Sequence, residues 1–286
     1  MWSVRQVAAV GSVERLVPDE LWELFQRVVP AAPTRPQSGG RRRHGDREVL
    51  AAIVFVATSS CAWQQLPSAS FGPSGATAHR LFTEWSKARA WAKLHRLVLD
   101  ELGAHGELDW SRCAIDSVNM RALKKGDLTG PNPVDRGKHG SKIHLVTERT
   151  GLPLSVGISG ANTHDSQAPI PLVQGIPPIR SRRGRRRRRP GKLHGDKGYD
   201  YDHLRRWLRS HGITPRTARK GTDSSQRLGR HRWTIERTVA RLAGCRRLHR
   251  RYERKASHFL AFTSIACTLI CYRRLSQAGD FQEASA

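Results

Sequence analysis

Three carboxylates stand in three distinctive settings. Asp116 lies in Cys113-Ala-Ile-Asp-Ser, a short apolar run followed by a polar break. Asp196 lies in Leu193-His-Gly-Asp-Lys-Gly-Tyr, where an apolar residue runs into a glycine-rich turn. Glu236 lies in Arg232-Trp-Thr-Ile-Glu-Arg, inside a helical pattern. They are 80 (196 − 116) and 40 (236 − 196) positions apart. Two strand ends and one helix can still bring them to one point. Oxygen ligands on a very basic chain suggest hard divalent cations working on phosphate esters. In that reading two Mg²⁺ ions about 3.5–4 Å apart share Asp116 as a bridge, and Mn²⁺ can substitute.

The chain of 286 residues carries a formal net charge of +26. Such an excess repels itself unless a polyanion neutralises it, which makes nucleic acid the leading partner. Arg182-Arg-Gly-Arg-Arg-Arg-Arg-Arg-Pro is the densest charge block and reads as a flexible loop. Its Arg185, Arg186 and Arg187 are expected to clamp DNA phosphates without reading sequence. Arg41 and Arg42 form a second basic cluster. No lipidation motif or basic amphipathic anchor points to a membrane. The most apolar segment, Phe259 to Tyr272, is too short to span a bilayer and reads as a buried helix. Five scattered cysteines (61, 113, 245, 267, 271) read as reduced core thiols. A cytoplasmic, nucleoid-associated protein is expected.

The elements that must position the acids fall into two groups. Residues ~15–105 read as a helical DNA-binding module. There Asp46 can cap one helix and Ser74 the next, in a helix-turn-helix-like layout. Arg80 is a groove-facing candidate on the helix from Ser74. Residues 110–275 read as a mixed α/β catalytic domain with a five-stranded sheet, and 276–286 as a flexible tail. Arg112 to Val118, Ser141 to Thr147 and Gly151 to Ser159 are the first three strands. Lys192 to Gly195 and Gly212 to Thr217 are the last two, each followed by a helix. Three antiparallel strands, helix, strand, helix, strand, helix is the order of a ribonuclease H-like domain. In that order Asp116 lies on the central strand, Asp196 leaves its neighbour, and Glu236 projects from the helix packed over both. Lys142 and His144 share a strand face and are expected beside Asp116, near the scissile phosphate. Trp233 is expected to pack against the sheet, and Arg232 to orient Glu236 or hold a phosphate. His164-Asp165 reads as a helix cap.

The three acidic segments together resemble those of the DDE transposases of bacterial insertion sequences, with insertion-sequence family five the nearest subgroup. The resemblance extends to Trp63-Gln-Gln-Leu-Pro, Gly140-Ser-Lys-Ile-His-Leu and Leu260 to Leu275. It implies a metal-binding catalytic triad of Asp116, Asp196 and Glu236. It also implies Mg²⁺ dependence and binding to the terminal inverted repeats of a mobile element. Related proteins carry a tyrosine–arginine–glutamate–lysine signature around the third acid. Here Arg232 and Glu236 fill two positions, while Gly229 and Ala243 stand in place of the tyrosine and lysine. The expected activity is strand cleavage by activated water, then joining of the 3′-OH ends to double-stranded target DNA. Holding both element ends requires a homodimer or a larger assembly. The competing readings are a metal-dependent endonuclease without strand transfer and a non-catalytic DNA-binding remnant.

Overall fold

The computed structural model describes residues 11–32, 43–219 and 225–283, with backbone alone over 225–232 and 279–283. Arg41 and Arg42, and the side chain of Arg232, lie outside the described residues. The chain divides into two compact units. One runs through Leu94 and includes Cys245–Arg247; the other holds His95–Gly244 and the residues from Leu248 on.

The first unit is helical. Helices α1 (Asp19–Gln26), α2 (Asp46–Ser59) and α3 (Gly75–Lys87) lead into α4 (Ala90–His105), which crosses the unit boundary. Helix α2 buries residues on every side, from Val49 through Ala57, and so reads as its centre. Around it, Phe25 meets Trp85 edge-on at 5.0 Å and stacks on Trp91 at 5.7 Å. Ser74 caps α3 as expected, its hydroxyl accepting the Thr77 N–H at 3.3 Å. Asp46 does not cap α2. It opens the helix after Gly45 and pairs with Arg43 at 2.9 Å. Arg80 is exposed and lies 3.6 Å from Glu84, one turn along α3.

The second unit is built on a mixed sheet. Strands β1 (Cys113–Arg121), β3 (His139–Glu148) and β4 (Pro153–Gly160) pair antiparallel. Strands β5 (Lys192–Gly195) and β6 (Thr214–Thr217) extend the sheet beside β1 in parallel. The order across it is therefore β4-β3-β1-β5-β6, the ribonuclease H-like order expected. A two-residue strand, β2 (Gly130–Pro131), adds to the start of β3. Helix α5 (Pro169–Gln174) packs on β3 and β4, and α6 (Asp202–Ser210) on β6. Helix α7 (Ser225–Leu242) crosses β1, β3 and β5. Helix α8 (Ala256–Glu283) packs on β4 and α7, burying Phe259, Phe262 and Cys267. It continues through 276–283, the stretch read as a tail. All five cysteines are free. No helix among the described residues is long and apolar enough to cross a membrane.

Gly151 lets α7 come close. Its φ is +97°, and a Cβ there would sit 2.8 Å from Thr238 Oγ1 and 3.1 Å from Thr234 Cγ2. Thr238 uses the approach to donate its hydroxyl to Gly151 O at 2.6 Å.

The basic run is an ordered hairpin, not the flexible loop expected. Ile179 and Arg187 exchange both backbone hydrogen bonds at 2.8 Å. Arg186 Nη1 grips both oxygens of Asp100 on α4 at 2.8 and 3.0 Å. Asp100 is only 5% exposed and also accepts the Arg180 N–H. A carboxylate that deep needs a cation, and the arginine run supplies one. Arg187 lies over the Trp110 ring at 5.6 Å, and Arg188 donates to Gln174 O. Arg186→Ala leaves Asp100 short of its partner. It should lower the unfolding free energy in urea by about 1–3 kcal/mol, and Arg185→Ala by less than about 0.5 kcal/mol. Equal effects would contradict this division.

His95 sits buried where α4 meets β4, with Nε2 3.0 Å from Pro153 O. Burial pushes its pKa down from 6.5 to about 4, partly offset by that hydrogen bond. The unfolded chain therefore takes up the proton first. The stabilisation is complete above the unfolded value and is lost as pH falls from there towards 4. Between neutral pH and about pH 5, His95 alone should remove about 2 kcal/mol of stability. Denaturant unfolding across that range should give a shallower acid slope in His95→Gln; an unchanged slope would contradict the assignment.

Candidate active site on the β1–β5 edge

The parallel register of β1 and β5 builds the centre of the site. Cys113 pairs with Leu193 and Ala114 with His194. Asp196 is the first residue after β5, so the same register carried on by two steps sets it beside Asp116. Both residues then leave the sheet on the same face, from strands about 4.8 Å apart. Both are half-buried. Asp116 Oδ1 accepts the Ser117 N–H at 2.8 Å, and Asp196 Oδ1 accepts the Gly198 N–H at 2.8 Å. Each side chain is thus oriented by a backbone donor in its own turn. Gly195 keeps β5 tight here: a Cβ would lie 3.0 Å from both Ile115 Cγ2 and the Tyr199 ring.

Helix α7 covers the same face. Thr234 lies beside Cys113, Ala114 and His194. Thr234 and Thr238, both buried, turn towards the sheet. Glu236 follows two positions after Thr234, about 200° round the helix, and is exposed. The strand pairing brings Asp196 near Asp116, while the Glu236 side chain is exposed on α7. Among the described residues, no group of three histidine, cysteine, aspartate or glutamate side chains is placed to hold a metal. The helical spacing explains this: Thr234, Ile235 and Thr238 take the inward positions. The same rotation corrects the expectation for Trp233. It is 52% exposed, and the Arg237 guanidinium lies over its ring at 4.7 Å.

Lys142 and His144 need a correction too. Their strand partners are Asn119 and Ser117, so they occupy the face opposite Asp116, and they are 8% and 3% exposed. They do not meet a scissile phosphate beside Asp116. Lys142 Nζ instead donates to Asp165 Oδ1 at 3.0 Å and to Thr163 O at 2.8 Å. His144 Nε2 lies 2.7 Å from Ser159 Oγ. Burial holds the His144 pKa down to about 4 against the pull of Asp165, so the ring is neutral at pH 7.

Asp165 is the residue that sequence reasoning undervalued. The cap it was thought to share is made by His164, whose Nδ1 accepts the Ser166 N–H. Asp165 Oδ1 accepts from Lys142 and also from Ser117 Oγ at 3.0 Å. The buried Tyr199 phenol lies between the two faces. Its pKa is pushed up by burial, then by Asp165, Asp116 and Asp196. One signal for Asp165 was available: a lysine on a strand otherwise buried along its length needs an anion close by.

Comparison with known proteins identifies the family. A family model described as "Putative transposase of IS4/5 family" matches residues 17–95, and one described as "Transposase DDE domain" matches residues 110–271. Domains of the second kind depend on a divalent metal. The chain is 45% identical over 150 residues to the "Putative transposase for insertion sequence element IS402" of Burkholderia cepacia, covering 52% of this chain and 71% of that one. It is 35% identical over 119 residues to the "Insertion element IS402 uncharacterized 16.2 kDa protein" of the same organism, covering 41% and 81%. Among solved structures, a cryo-EM structure of the piggyBac transposase synaptic complex with hairpin DNA superposes with a TM-score of 0.53. That match has 9% identity and covers 96% of this chain and 76% of that chain, which establishes a shared fold. The sheet order, the paired aspartates and the DDE-domain match over more than half the chain make this protein a member of the DDE transposases of insertion sequences.

Proposed function

We propose that this transposase binds the terminal inverted repeats of its own element, cleaves DNA strands there and joins the 3′-OH ends to target DNA. Asp116, Asp196 and Glu236 are the acids of that chemistry. The observation that carries the reading is the parallel pairing of β1 with β5, which ends next to Asp196 and sets it near Asp116. Two half-buried carboxylates on one face fit a hard divalent cation, because such ions take oxygen ligands. Mg²⁺ is the expected ion, as a pair, with Mn²⁺ able to substitute. When bound, the ions would polarise the phosphodiester and offset the charge that develops on its oxygens. Asp116 and Asp196 would hold them. Glu236 completes the set only after α7 or its own side chain moves inward from its exposed position. DNA or metal binding would supply that movement.

The partner is double-stranded DNA, and the basic hairpin supports this. Arg182, Arg183, Arg185 and Arg189 are exposed and form no ion pair among the described residues, whereas Arg186 is engaged by Asp100. The first four are suited to phosphate contacts without base readout. Both element ends must be held together for joining, which calls for at least a homodimer on DNA. The site of action is the nucleoid, in the cytoplasm.

Asp116→Asn removes one charge from the pair without changing its volume. Binding to end DNA should survive, and Mg²⁺-dependent cleavage of that DNA should fall at least about 100-fold, the upper end of what loss of a mere supporting residue costs. Cleavage at the wild-type rate would remove Asp116 from the mechanism. Replacing Arg182, Arg183, Arg185 and Arg189 with alanine should flatten the plot of log affinity against log salt by about 3–4 in slope. An unchanged slope would show that the hairpin does not touch phosphate.

A further inference from the structure

A chain of three hydrogen bonds passes through the sheet from its buried face to the aspartate pair. Lys142 Nζ donates to Asp165 Oδ1 at 3.0 Å, and Ser117 Oγ donates to the same oxygen at 3.0 Å. The Ser117 N–H then donates to Asp116 Oδ1 at 2.8 Å. Ser117 is therefore held at both ends, its hydroxyl on one face of β1 and its amide on the carboxylate of the other. From this we infer that Asp165, fixed by Lys142, is a positioning residue for Asp116 and acts through Ser117. The inference rests on the reading of Asp116 and Asp196 as metal ligands.

Energetics favour a role beyond folding. Lys142 is 8% exposed, and burying an ammonium costs several kcal/mol before any pairing. An apolar pair of similar volume is often as stable as a buried ion pair. Its attraction is spent here on one oxygen, which also holds the serine next to Asp116. Charge points the same way. Asp165, Asp116 and Asp196 all push the pKa of the buried Tyr199 phenol upward, after burial itself. The Lys142 cation offsets the one among them that faces away from the proposed metal. The Thr163 carbonyl also holds the ammonium, at 2.8 Å, and fixes it in depth. His144 stands 4.0 Å from Asp165 as a neutral ring and does not compete for the charge.

The test is Mn²⁺ binding by the full chain without DNA, followed through loss of the free-ion electron paramagnetic resonance signal. Asp165→Ala should weaken Mn²⁺ binding by about 10–100-fold, the range found when a group supporting a metal ligand is removed. Helix content by circular dichroism should stay at the wild-type level. Asp165→Asn keeps an acceptor oxygen for Ser117 and Lys142, and should recover most of the loss. Failure of Asn to recover it would overturn the positioning role, because the charge and not the geometry would then matter. Asp116→Asn, measured in parallel, separates the two layers of the account. If it abolishes binding while Asp165→Ala leaves it unchanged, the strut is wrong and the aspartate pair stands. If Asp116→Asn itself leaves binding unchanged, the pair fails and the strut fails with it. Should Asp165→Ala not fold, Ser117→Ala decides: weaker Mn²⁺ binding upholds the strut, and wild-type binding overturns it.

Discussion

The parallel pairing of β1 with β5 is the constraint on which the site depends. β5 has only four residues, so few backbone bonds set its register. The side-chain period of a strand is two, and a slip by one residue would send Asp196 to the opposite face from Asp116. Several features hold the register. Leu193 and Cys113 are almost wholly buried where the two strands pair. Gly195 admits Ile115 and the Tyr199 ring where any side chain would crowd them. Asp196 itself closes the turn that follows, by accepting the Gly198 N–H. The carboxylate proposed for chemistry thus also ends the strand that presents it.

Bringing acids together costs energy, and the second unit meets that cost locally. Two neighbouring carboxylates repel each other. Backbone N–H donors hold both in place. Lys142 brings a positive charge close from the far side of the sheet. The same logic recurs elsewhere in this unit, with charges inverted. Arg251 is fully buried and held mainly by carbonyl oxygens. Its guanidinium donates to the carbonyls of Asp127, Leu128, Glu253 and Arg254 and to Ser141 Oγ. It fastens the loop before β2 to the segment before α8. A chain of net charge +26 buries three of its described lysines and arginines, Lys142, Arg205 and Arg251, inside the unit that carries the acids.

Much of this was legible in the sequence, for identifiable reasons. The order of strands and helices along the chain pointed to the sheet order, because β3 and β4 flank one short glycine turn at Gly151. The Asp116 and Asp196 motifs stood out because each joins an apolar run to a polar exit. What stayed hidden was orientation. Alternation shows that Lys142 and His144 share a face, but not which face or whether another element covers it. Their strand partners decide that, and pairing is a long-range fact. The exposed setting of Glu236 was hidden for a similar reason. A helical pattern with threonines at 234 and 238 does not reveal that these small side chains are the ones admitted at Gly151. Arg186 and Arg251 were unreadable because arginine is usually a surface residue, and the buried acceptors that hold them come from distant segments.

The most direct test of the account is the place where a divalent ion binds. Crystals of the protein grown with Mn²⁺ and measured at the manganese absorption edge should show an anomalous peak between the carboxylates of Asp116 and Asp196, within about 2–2.5 Å of an oxygen from each. A manganese peak elsewhere, with none between these two side chains, would contradict it.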